Sequence, residues 1–176
     1  MNKAELVGTF RTAINNCKLV YASMLLFSHD DMPKIYRQLS DAIDIPRPYD
    51  EIEIISLLTD RDVSKIAFSE LYDTVHRAAL KELFEITKYY CEFTGQLKII
   101  QSQGWYQFWR VLRNCLSHDF KLQFNEYDLK KLPVSWGKLT IDMAMEGKNL
   151  THGNFSRQDI VAFLTEVSDF IEKELA

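Results

Sequence analysis

Arg113 and His118 open and close the stretch "RNCLSH", with four residues between them, and Arg110 precedes Arg113 by three positions. Two arginines one helical turn apart can grip one anion, a phosphate above all. A histidine at the end of the same helix is a proton carrier near neutral pH. Asn114 and Ser117 lie between and add polar side chains to the set. With Arg113 at zero and steps of about 100°, Gln107, Arg110, Arg113, Asn114, Ser117 and His118 fall between about 0° and 140°. Trp105, Phe108, Trp109, Leu112, Cys115 and Leu116 fall between about 200° and 320°. One face is therefore aromatic and core-seeking, and the other is polar. The ordinary fate of such a polar face is solvation. The chemical alternative is an anion site on a helix anchored by its aromatic side. Arg113 and His118 are about 7.5 Å apart along the axis and about 140° around it. One copy of the helix does not bring them into tight contact, whereas two copies side by side could, so any site here favours an oligomer.

Other chemistries have weaker support. Cys115 and His118 are spaced like a thiol–imidazole pair, but Cys115 falls on the apolar face, about 60° from His118. Zinc needs clustered Cys and His ligands, and His29, His76, His118 and His152 stand singly. His76 is expected at the surface or half-buried. "DDM" (30–32) and "TDRD" (59–62) sit where helix caps belong. Lys130 and Lys131 are too few for a nucleic-acid stripe, and the six glycines form no phosphate loop. No metal and no cofactor are expected.

The elements that must hold this helix follow from periodicity. Residues 3–28 repeat apolar side chains every three and four positions, a long amphipathic helix. A shorter helix follows, with Pro33 near its start, running to about Ile43. "DIPRPYD" (44–50) must be a loop, and "EIEIISLL" (51–58) is ambiguous but leans helical. Ser64 to Phe93 is helical, with Gly95 as its stop. The motif helix spans about Gln103 to His118. "GKLTIDMAMEGKNLT" has the alternation of a small hairpin, with "EGKN" as its turn. Ser156 caps a last helix whose apolar face carries Ile160, Phe163, Leu164, Val167, Phe170 and Ile171. The expected fold is all-α, a bundle of four to five helices, with a β-hairpin insertion at about 132–151 before the C-terminal helix. Residues 1–176 form one domain on this reading.

Composition agrees. The chain has 176 residues, 47% hydrophobic, with 6 Gly and 4 Pro, enough for a continuous core and too few breakers for a loop-rich β protein. Its net charge of −4 counts against a globally basic nucleic-acid footprint while allowing a local one. Three scattered cysteines, Cys17, Cys91 and Cys115, fit reduced thiols in the cytoplasm. The charged N-terminal stretch is not a signal peptide, and no uncharged apolar run reaches the length of a membrane span, so no membrane partner is expected.

The motif resembles the HEPN superfamily, whose signature is an arginine, four to six residues, then a histidine near the end of a helix. Here Arg113, Asn114, "CLS" and His118 fit it, behind a Trp-rich helix in a helical chain. The resemblance implies a homodimer with facing motif helices and, in many members, a metal-independent endoribonuclease of toxin–antitoxin, antiphage or RNA-processing systems. Carried to these residues, His118 is a general base or acid at the ribose 2′-OH and the leaving group. Arg113 holds the scissile phosphate, and Asn114 orients one of these groups or bonds the phosphate. Nearby arginines lower the pKa of His118, and the product is a 2′,3′-cyclic phosphate. Arg110 and Ser117 join as substrate-binding residues from their place on the helix. The implied partners are single-stranded RNA, a second copy of the chain, and an antitoxin or regulatory protein. The alternative is a HEPN-like dimer that no longer cuts and serves as a binding or scaffold module. Two departures stand out. Some toxin members carry a modifiable tyrosine two residues after the histidine, where this chain has Phe120, and the hairpin lies outside the minimal family core.

Overall fold

The computed structural model describes residues 1–42, 49–116, 121–150 and 153–176. These form eight α-helices, a two-stranded sheet and one 3-10 turn: α1 Lys3–Phe27, α2 Met32–Ala42, α3 Glu51–Thr59, α4 Arg61–Phe93, α5 Leu97–Gln101, α6 Gly104–Leu116, α7 Glu126–Leu129, β1 Val134–Trp136, β2 Leu139–Ile141, the turn Met143–Met145, and α8 Arg157–Glu174. The fold is all-α with a small hairpin before the last helix. Most of the loop expected over 44–50 lies outside the described residues, as does the expected end of the motif helix. No described helix is long and apolar enough to cross a membrane.

The described residues form two compact units, Met1–Asn15 with His76–Ala176, and Asn16–Val75, which subdivide the span expected as one domain. Helices α1 and α4 each contribute to both.

The first unit is built around aromatic rings. Trp109 of α6 meets Phe10 of α1, Phe84 of α4 and Phe163 of α8, with ring centroids 6.2, 5.3 and 5.5 Å away. Its indole N–H donates to the Leu80 carbonyl at 2.9 Å, so this fully buried ring leaves no polar atom unsatisfied. Helix α4 ends at a left-handed Gly95, φ 72°. Gln96 N–H reaches back to the Cys91 carbonyl at 2.7 Å and Gly95 N–H to the Glu92 carbonyl at 3.3 Å, the Schellman arrangement that closes a helix C-terminus. Helix α8 starts at Ser156, the cap its sequence implied, which the structure completes as a capping box with Asp159.

The hairpin pairs Val134 with Ile141, Ser135 with Thr140 and Trp136 with Leu139. Its turn is Gly137–Lys138, not "EGKN". Gly137 has φ 57°, which suits the first central position of a two-residue primed turn. "EGKN" follows the 3-10 turn instead, and Lys121 pairs with Asn149 there as an isolated bridge. Strand β1 packs on α6, which buries Val134.

The second unit contains α2, α3 and the adjoining parts of α1 and α4. Asp60 closes α3 and accepts from the first N–H groups of α4, at 3.2 Å from Asp62 and 3.1 Å from Val63. That is the capping role expected of "TDRD". Asp30, in contrast, forms an ion pair with Arg61, which also donates to the Ser28 carbonyl at 2.8 Å.

Candidate functional site

Helix α6 positions the candidate residues through its buried side. Trp105, Phe108, Trp109, Leu112, Cys115 and Leu116 are all buried, as the helical projection required. So are Tyr106 and Val111, which the projection did not assign to the apolar face. The helix is therefore enclosed on more sides than a two-faced drawing allows. Its polar positions Gln107, Arg110, Arg113 and Asn114 are half-buried instead of freely solvated. Burial pushes the Tyr106 phenol up in pKa, and a hydrogen bond with Gln101 and the charges of Lys88 and Arg110 pull the other way.

Arg113 sits in the last turn of α6, where a cation also complements the helix dipole. It forms an ion pair with Glu85 of α4, and its Nη1 donates to the Asn114 Oδ1 at 3.1 Å. Its side chain keeps 33% of its exposure and that of Glu85 43%, so the pair is reachable from solvent. The guanidinium is thus oriented by Glu85 on one helix and Asn114 on its own. Glu85 is absent from any sequence argument because it lies 28 positions earlier on another helix, and nothing in "KELFEITK" marks it.

Arg110 is held more firmly. It forms an ion pair with Asp128, whose side chain is 1% exposed, and its Nε donates to Gln107 Oε1 at 3.1 Å. Its Cζ also lies 4.3 Å from the centre of the Tyr127 ring. A phosphate arriving at Arg110 has to compete with a buried carboxylate. Asp128 does a second job in the capping box of α7, accepting from Asn125 N–H at 3.1 Å. The spacing of Asn125 and Asp128 is a capping signal visible in sequence, but its contact with Arg110 is not.

Ser117 and His118 lie outside the described residues, as does Phe120. The structure thus brings together Arg113, Asn114 and Glu85, and separately Arg110 and Asp128. Cys115 is fully buried, and burial pushes its thiol up to about 11, with a hydrogen bond to the Leu150 backbone working the other way. That is the behaviour of a core thiol, as expected, and not of an activated nucleophile. His76 departs from its expected surface or half-buried place: it is 2% exposed. It stands three, four and seven residues before Ala79, Leu80 and Leu83, on the core stripe of α4, which explains the burial. Among the described residues no group of three His, Cys, Asp or Glu side chains is placed to hold a metal ion. No protein-family model, curated protein or solved structure matches this chain, and the chemistry of the site stands on its own residues.

Proposed function

We propose that the protein is a metal-independent endoribonuclease of HEPN type, working as a cytoplasmic homodimer in a toxin, antiphage or RNA-processing role. The observation that carries this reading is Arg113: a half-exposed guanidinium, oriented by Glu85 and Asn114, on a helix locked into an aromatic core, five residues before His118. His118 takes the proton of a ribose 2′-OH, and the freed oxygen attacks the adjacent phosphorus. The 5′-oxygen leaves with a proton from an imidazolium, for which the second copy's histidine is the natural source. The phosphate becomes a 2′,3′-cyclic diester. Because the nucleophile is the substrate's own hydroxyl, the step calls for no metal-bound water. Arg113 carries the charge that builds on the phosphate oxygens. Glu85 holds the guanidinium in place before RNA arrives and yields one edge of it to the phosphate.

A second reading rests on one feature: both arginines already face carboxylates, Glu85 and Asp128. A protein using them purely for structure is a HEPN-like binding or scaffold module. Labelled single-stranded RNA incubated in EDTA with wild type, His118→Ala and Arg113→Ala separates the two. The enzyme reading expects cutting by the wild type, none by the histidine variant, and a loss of roughly 100-fold or more for the arginine variant. Equal cutting by all three sinks the catalytic assignment. Folded wild type that cuts no RNA in a broad pool supports the binding module.

A further inference from the structure

Beside Arg110 the structure presents an exposed aromatic ring on a fixed support. Tyr127 is 48% exposed, yet its backbone is pinned. It is the second residue of α7, its N–H donates to Asn125 Oδ1 at 3.0 Å, and the next residue, Asp128, is locked to Arg110. The Arg110 guanidinium lies over the ring at 4.3 Å, and the Lys131 ammonium stands 5.8 Å from its centre. Arg110 and Arg113 are one turn apart on α6, about 4.5 Å along the axis. A rigid ring with cations around it, close to a phosphate-binding arginine, is what proteins use to stack the bases of single-stranded nucleic acid. Lys130 and Lys131 make no basic stripe by themselves. With the Tyr127 ring close to both Lys131 and Arg110, Lys131 stands at the edge of a base-stacking subsite.

We infer that Tyr127 is the stacking platform for a base of a single-stranded polynucleotide whose backbone runs past Arg113, with Lys131 meeting a neighbouring phosphate. This rests on the reading that the polar face of α6 takes RNA, but not on whether that RNA is cut. Within it, Arg110 has the role of a positioning residue: it backs the ring and ties α7 to α6, leaving Arg113 to the phosphate. Stacking discriminates a strand with bases from one without, and it tolerates any base because each has a π face.

Binding is best measured by fluorescence anisotropy with a labelled 2′-O-methyl adenylate octamer, which lacks the 2′-hydroxyl that cleavage needs. An abasic octamer of the same backbone is the reference. Wild type should bind the adenylate strand roughly tenfold or more tighter than the abasic one. Tyr127→Leu keeps apolar bulk on Arg110 but has no π face, so it should bring that ratio close to one while affinity for the abasic strand stays. Tyr127→Trp should preserve or raise the ratio. Lys131→Gln should weaken both strands alike and flatten the salt dependence. A ratio that survives Tyr127→Leu, or wild type that binds neither strand, overturns the platform and leaves Tyr127 as packing between α6 and α7. A ratio that collapses in Tyr127→Leu while the wild type cuts no RNA keeps the platform and removes the nuclease. Cutting with an unmoved ratio does the reverse.

Discussion

The two compact units solve the burial problem differently. In Met1–Asn15 with His76–Ala176, rings from α1, α4, α6, β1 and α8 converge on one cluster, with Phe108, Trp109 and Phe163 fully buried. In Asn16–Val75, the core is thin: Cys17, Val20 and Leu58 are buried, α2 buries none of its residues outright, and Phe27 stacks on a half-buried Phe68. A cavity of about 380 Å³ lies between Met24, Phe27, Leu58 and Phe68. Leu19, Leu25, Leu26, Ile52, Val63 and Ile66 are exposed there. The residues that could do chemistry stand on the densely packed unit. The difference teaches that the helix carrying Arg110 and Arg113 belongs to the more tightly packed unit, where close-packed rings leave few alternative rotamers.

Breaking the dense unit should cost most. Trp109→Ala removes the central ring and its hydrogen bond to Leu80, and a loss of about 3–5 kcal/mol is expected in urea unfolding. Asp128→Ala leaves Arg110 half-buried opposite no carboxylate and removes a capping acceptor, for a loss of about 3 kcal/mol by the same measurement. Phe68→Ala in the thin unit should cost less, about 1–2 kcal/mol, because the ring is only half-buried and faces a cavity already. A Phe68 effect as large as that of Trp109 would erase the contrast between the units.

The smallest effect concerns the thiols. Burial pushes Cys17, Cys91 and Cys115 from 9.0 up to about 11 in the folded state. Raised folded values mean that the unfolded chain gives up these protons first. Stability is thus whole below pH 9 and falls as pH climbs from about 9 to about 11. At pH 8, iodoacetamide should label all three slowly. If the thin unit opens at lower free energy, Cys17 is modified ahead of Cys91 and Cys115. Equal rates for all three would mean that the units open together.

Long elements were legible in the sequence because they repeat their pattern many times. Helices α1, α4 and α8, and the aromatic side of α6, follow from the 3.6-residue period, and Ser156 announces the start of α8. Helices α5 and α7 are too short to show a period. The hairpin was visible but its turn was not. Gly137 and Gly147 both take positive φ, so either glycine could serve a turn, and the register pairs Trp136 with Leu139 around Gly137. Within the site, Arg110, Arg113 and Asn114 could be named from one helix. Glu85 and Asp128 could not, since an ion pair between distant segments leaves no local trace. Tyr127 looks like an ordinary loop residue until Arg110 is seen lying over its ring.

The nuclease claim is tested most directly by the chemistry of the product ends. Wild-type protein is incubated in EDTA with a single-stranded RNA and with a copy carrying 2′-deoxyribose at every position, and the fragment termini are identified by mass. The account predicts that the RNA is cut to fragments ending in 2′,3′-cyclic phosphate and that the deoxy strand stays whole. Cutting of both strands, or RNA fragments without the cyclic phosphate, would contradict attack by the 2′-hydroxyl and remove His118 from its role as the base.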